Sequence, residues 1–345
     1  MFKQRRPVTV IFLLQCVLYS GSLVAQQNIS PPEEPQLLHR PQSLQLVLDV
    51  VAANANGPVN NLAQQNFTVL IDKKPVPVSG FHSATLQNEQ AGPVEIVLVI
   101  DEHTAPLSSL DHRRNEIRRF LEQNTGKLKH PVRLAFLSWR GCEIQADATR
   151  DGNAVLAAFD QHSPGPNTAH NSTAHLTSSS LKKIAAAEAK VPGRKLVVWI
   201  APGWPIFNSA PGVELSAHER NGIFGNVLSI STALQQARIT LYCVNSGDAD
   251  SNSTYYEAFL KPLTSRNDAE QGDENTQVRA VQSGGLVLEA LADVPSMLAQ
   301  CMAEADLFYT LTVVAPMTGP EKFHEVEVKV NVPGVKARTR YGYYG

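Results

Sequence analysis

Cysteine, aromatic residues and charge excess are all scarce in this chain. Four cysteines are spread over 345 residues, and aromatic residues make up 7%. Cysteine at that density excludes a disulfide scaffold, in which crosslinks replace a core. Thirty basic residues face 32 acidic ones, which removes the electrostatic argument for a nucleic-acid binder, a protein that shows a basic face or tail. After the first segment, no stretch holds the ~18 consecutive apolar residues that a membrane helix needs. Catalytic signatures are missing too: there is no Gly-x-Ser-x-Gly, His-Glu-x-x-His, Gly-x-x-x-x-Gly-Lys-Ser/Thr, Gly-x-Gly-x-x-Gly or Cys-x-x-Cys. Of the 10 histidines, no two stand at i, i+4 spacing, and the nearest pair is His170 and His175. What is present, 43% apolar and 18% charged residues, is the composition of a globular protein of one large or two ordinary domains.

The N-terminus follows its own pattern. Lys3, Arg5 and Arg6 precede an apolar run from Val8 to Leu18, and Ser20, Gly21, Ser22 and Ala25 come after it. That is the order of a secretory signal over residues 1–25. It implies export, to the periplasm or the exterior, with no membrane span after removal. Cys142, Cys243 and Cys301 are left, enough for one disulfide at most, and Cys243 lies in an apolar strand as a buried thiol. Residues 26–42, polar and proline-rich, read as a linker.

From there the chain divides by the period of its apolar residues. Residues 43–88 alternate, with Leu44, Leu46, Leu48 and Val50 on one face, and predict a β-unit of three or four antiparallel strands. Residues 92–306 change to buried strands alternating with helices. Ile96 to Ile100 are five apolar β-formers in a row, the mark of a strand covered on both faces. Leu107 to about residue 127 has helical spacing, Pro131–Leu137 is a strand, and Cys142–Ala148 is its antiparallel companion. Asp151 is placed to cap a helix. Residues 246–277 read as a polar, mobile insertion. The pattern predicts an α/β fold, a doubly wound, mostly parallel sheet with helices on both faces. Residues 307–345 alternate again and predict a three-strand meander. Neither terminal β-segment is large enough to stand alone, so the two are expected to pack on each other or on the α/β domain.

Several of these segments together resemble the von Willebrand factor A-related proteins of the type expanded in acidobacteria. The upstream unit is similar to theirs through Asn66-Phe67-Thr68-Val69-Leu70-Ile71-Asp72-Lys73-Lys74-Pro75. The domain start resembles theirs in Ile96-Val97-Leu98-Val99-Ile100-Asp101. The same holds for Gly193-Arg194-Lys195-Leu196-Val197-Val198-Trp199-Ile200-Ala201-Pro202-Gly203-Trp204-Pro205, for Ser283-Gly284-Gly285, and for the closing segment from Lys322 to Tyr344. The resemblance covers nearly the whole chain after the signal.

It implies an A-like domain that meets partners on the upper face of its sheet, where the family holds a divalent metal. The family's Asp-x-Ser-x-Ser is reduced here to Asp101, His103 and Ala105, its third-loop aspartate is Pro202, and its threonine corresponds to Thr168 or Thr173. Magnesium wants six hard oxygens, so Asp101, His103, Thr168 and Thr173 form at best a degenerate metal site, and no cofactor is expected. Glu102, His103 and Asp111 are the residues from which a different site could be built.

The leading expectation is a non-enzymatic binding or adhesion module, recognising a protein or cell-envelope partner through Asp101, Glu102 and Trp204. Two other classes remain open: a hydrolase using Asp101, Glu102 and His103, and an envelope scaffold assembling through its β-segments.

Overall fold

Val94–Asp101 forms a strand in which all eight residues are buried. Its side chains alternate between two cores. Ile96, Leu98 and Ile100 enter one hydrophobic cluster, and Val97 and Val99 enter the other. A strand covered on both faces has no use for polar alternation, which is why this segment reads as an unbroken apolar run.

The computed structural model describes residues 43–84, 93–104, 107–165, 173–201, 214–245, 259–288 and 293–345, with the backbone alone at 107–109 and 173. The expected signal and linker, with Ala105, Thr168, Pro202 and Trp204, lie outside the described residues. All the described residues fall in one compact unit, Pro41–Gly345. Its first strands are β1 (Ser43–Asn54), β2 (Gly57–Pro58), β3 (Phe67–Ile71), β4 (Lys74–Val76) and β5 (Val78–Ala84). Strand β6 is Val94–Asp101; then come helix α1 (Leu107–Gln123), β7 (Lys127–Ser138), β8 (Gly141–Ile144), β9 (Thr149–Asp151) and α2 (Gly152–Gln161). They are followed by α3 (Thr173–Glu188), β10 (Arg194–Ala201), α4 (Ala217–Gln236), β11 (Ile239–Asn245), α5 (Thr276–Ser283), β12 (Val287–Leu288) and α6 (Val294–Asp306). The last strands are β13 (Phe308–Pro316), β14 (Phe323–Val330), β15 (Lys336–Arg338) and β16 (Gly342–Tyr344).

The fold is mixed α/β. Its central sheet runs β12-β11-β10-β6-β7-β8, with β9 also on β7. The pairs from β12 to β7 are parallel, and β8 and β9 are antiparallel to β7. One face packs Ile117 and Phe120 of α1, Phe159 of α2 and Leu298 of α6. The other packs Leu181 and Ile184 of α3, Ile230 and Leu234 of α4 and Ala280 of α5. Asp151 caps α2 as expected, its side chain accepting from the backbone N–H groups of Asn153 and Ala154. Helix α1 stops at Gln123, before the expected 127, because Gly126 takes a φ of 86° and turns the chain into β7. Of the companion strand expected over 142–148 only the start forms, in β8, which ends at Ile144; β9 is a separate short strand beyond it.

The terminal β-segments interleave and form no meander. Strand β13 lies between β1 and β5, β15 pairs with β1, and β14 lies between β3 and β16. Two small sheets result. They share one core containing Leu46, Leu48, Val50, Phe67, Val69, Leu311, Val313, Val326 and Val328. Each segment alone exposes half of that core, so both must come together before either is stable.

The insertion expected to be mobile is folded where it is described. Phe259, Leu263 and Ala269 are buried with Ile223, Phe224 and Val227 of α4 and with Tyr344. Helix α5 follows directly, and seven of its residues are buried, Thr276, Gln277, Arg279 and Gln282 among them. Side-chain partners take up some of that polarity: Arg279 donates to Ser178 Oγ at 3.1 Å and Gln282 donates to Tyr344 Oη at 2.9 Å. Among the described residues no helix is long and apolar enough to cross a membrane.

Candidate functional site

The carboxyl ends of β6, β7 and β10 share one edge of the central sheet, where open α/β sheets place their ligands. Asp101 stands there at the end of β6, paired in register with Leu137 of β7. It is 2% exposed. Its Oδ1 accepts from the backbone N–H groups of His103 at 3.1 Å and Thr104 at 3.0 Å, and its Oδ2 accepts from the indole Nε1–H of Trp199 at 3.1 Å. Burial pushes the Asp101 carboxyl above the ordinary range, against the lowering pull of these hydrogen bonds from Thr104 and Trp199.

This arrangement does not fit the divalent metal that the family resemblance implies. A divalent ion needs several oxygen ligands converging on it, and of the ~four lone-pair sites of the Asp101 carboxylate N–H donors already take up three. The side chains of Thr168 and Thr173 lie outside the described residues, as does Pro202. Asp111 is exposed on α1 and does not join Glu102 and His103. Among the described residues, no three His, Cys, Asp or Glu side chains are placed to hold an ion.

Glu102 faces the other way. Its Oε1 accepts from Arg114 at 2.6 Å and its Oε2 lies 3.0 Å from His162 Nε2. Arg114 also donates to the carbonyl oxygens of Phe159 and His162 and sits 4.5 Å from the Phe159 ring centroid. His162 stacks on Phe136, with ring centroids 3.6 Å apart. Glu102 therefore locks α1 and the end of α2 onto β7. At 4% exposure, it is not presented to a partner, and neither is Asp101. Both candidate contact residues are buried, and their hydrogen bonds hold the rim from inside. His103 is buried as well, its Nδ1 without a hydrogen-bond partner among the described residues. Arg113, also buried, has its guanidinium held down to about 10 by burial, with the charges of Asp101 and Glu102 acting in the opposite sense.

Sequence reasoning passed over the exposed aromatic on this edge. Trp139 is 41% exposed at the β7–β8 turn, two residues beyond the partner of Asp101. The Arg140 guanidinium lies 5.0 Å from its ring centroid, and Gly141 closes the turn at φ 107°. The signal was available: Trp-Arg-Gly between two apolar strands is a turn that carries its aromatic outward. The three cysteines are buried and free, and burial pushes the Cys142 and Cys243 thiols up to about 11.

No protein-family model matches the chain, and no curated protein matches it. Among solved structures, the chain is similar to the PilB minor pilin from Streptococcus sanguinis, at 10% identity and a TM-score of 0.36, over 62% of this chain and 60% of that one. It is similar to the manganese-loaded TRAP protein of Plasmodium vivax at 9% identity and a TM-score of 0.37, over 77% and 98%. A third is the SpRpn10 VWA domain, at 10% identity and a TM-score of 0.33, over 60% and 93%.

Proposed function

We propose that this chain is an exported, non-enzymatic binding module. On this reading residues 92–306 form a doubly wound, von Willebrand factor A-like domain, flanked by β-segments at 43–88 and 307–345. It meets a protein or cell-envelope partner, in the periplasm or outside the cell, at the strand-end rim and without a metal. The acidobacterial branch of the family rests on the sequence motifs alone. The observation that carries the reading is the Trp139–Arg140 pair on that rim. Tryptophan and arginine are the residue types that dominate binding energy at interfaces, and an indole left 41% exposed forgoes part of the roughly 1.5–3 kcal/mol that full burial of a large apolar side chain is worth. Asp101 and Glu102 support this rim by fixing the β6 loop and α1. Trp204 belongs to the same proposal as a second contact.

A hydrolytic role for Asp101, Glu102 and His103 has less support, since both carboxylates are already hydrogen-bonded inside the protein. Crosslinking in the exporting cell tests the binding reading. The wild type should capture a defined partner that is lost with Trp139→Ala and Arg140→Ala combined. If that double variant retained every wild-type crosslink at full yield, the rim would not be the binding surface.

A further inference from the structure

A cavity of about 10 Å³ in water-centre volume lies beneath the ends of β6 and β10, lined by Asp101, Thr104, Thr177, Glu274, Asn275 and Thr276, with Trp199 at its wall. Asn275 is 1% exposed, and among the described residues neither its Oδ1 nor its Nδ2 has a hydrogen-bond partner. It is also the N-cap residue of α5, yet its side chain makes no capping bond. The Thr104 hydroxyl sits beside the Asp101 carboxylate and helps to lower its pKa. A buried amide with both ends unmet is costly enough that native proteins almost always supply a partner. The cavity that Asn275 lines supplies the space for one.

Its size and lining decide what the partner is. The volume is about the least that admits one water molecule, and a buried water needs two to four polar neighbours. No organic ligand fits. A cation would face the N–H groups of His103, Thr104 and Trp199 converging on Asp101, and the first turn of α5, whose N–H groups have no partner within the helix. Water suits both kinds of neighbour, donating to a carboxylate or hydroxyl oxygen while accepting from an amide. We propose that a single structural water occupies this cavity and bridges Asn275 to the Asp101–Thr104 loop. The bridge ties α5 and the segment before it to the strand-end rim. It occupies the region where the family would hold its metal, and it stands whether or not the rim binds a partner.

Oxygen-17 relaxation dispersion counts long-lived internal waters in solution. The wild type should hold one more than Asn275→Leu, which fills the space with an apolar side chain of similar shape. A crystal structure of the wild type at atomic resolution keeps the test open if that variant fails to fold. It should show a peak within 2.7–3.2 Å of Asn275 and of an oxygen from Thr104 or Asp101, the range of ordinary hydrogen bonds. An unchanged water count, an empty cavity, or a peak at the ~2.0–2.6 Å of metal–oxygen bonds would overturn the proposal. So would a rise in melting temperature with Mg²⁺, Mn²⁺ or Ca²⁺ that Asp101→Asn abolishes.

Discussion

The indole of Trp199 donates to Oδ2 of Asp101 at 3.1 Å, across the parallel pair β10 and β6. The bond adds a side-chain link at the ends of the two central strands, beyond their backbone pairing. Trp199→Phe keeps a buried aromatic ring and removes that donor along with part of the ring volume. We expect a loss of ~1–3 kcal/mol, the cost of leaving a buried polar group unmet. Chemical denaturation measures it, and a midpoint equal to wild type would show that Asp101 does not depend on the indole.

A second prediction concerns pH. Asp273 is buried on the segment leading into α5, accepts from the backbone N–H of Glu270 at 2.7 Å, and has its carboxyl pushed up to about 6 by burial. In the unfolded chain the same group titrates near 3.8. Between those values the folded state holds more proton than the unfolded state, so this residue makes stability fall as pH rises from about 3.8 to about 6. Asp273→Asn removes that contribution. The stability difference between variant and wild type should therefore move in the variant's favour across this window and stay level above it. A difference independent of pH, followed by urea denaturation at several pH values, would contradict the assignment.

The strands of the central sheet were legible in the sequence because burial on both faces leaves an unbroken apolar run, as in Ile96–Ile100 and Leu196–Ile200. The Asp151 cap was legible because capping is local. Partners distant in sequence were not. Leu48 pairs with Leu311 and Val69 with Val328, and alternation alone names no partner. Helix α5 was hidden for a different reason. Gln277, Arg279 and Gln282 read as surface residues, and only the folded chain brings Ser178 and Tyr344 to them. At the candidate site the sequence located Asp101 but not its bonding, since Trp199 reaches it only through the register of β10 on β6.

A third prediction tests how the terminal β-segments are fastened to the α/β core. Glu304 of α6 accepts from both Arg338 of β15 and the Tyr242 hydroxyl of β11, and Arg194 donates to the Tyr242 oxygen at 3.3 Å. Glu304→Ala leaves Arg338 facing a buried tyrosine with no carboxylate, and should cost ~3–5 kcal/mol. Replacing both residues, Glu304→Met with Arg338→Met, should cost less than the sum of the single changes, because no charge is left without its partner. Additive losses would mean that the pair is not coupled.

The last prediction separates two glycines that look alike in composition. Gly285 follows the αL cap Gly284 of α5 and runs against β11; a Cβ placed there would lie 1.7 Å from the Leu241 carbonyl oxygen and 2.6 Å from its carbon. Both obstacles are backbone, and the hydrogen bond from Cys243 N to Leu286 O holds the two segments together, so neither can retreat cheaply. Gly222 lies inside α4 with nothing within 4 Å of the same position. There a methyl group meets only open space and restricts the unfolded chain. Gly285→Ala should therefore destabilise by roughly 2–4 kcal/mol, whereas Gly222→Ala should stabilise by about 0.5–1 kcal/mol. Thermal melting of the two variants side by side decides it. A Gly285→Ala protein as stable as wild type would mean that β12 does not pack against β11 this closely, since the methyl group would have room.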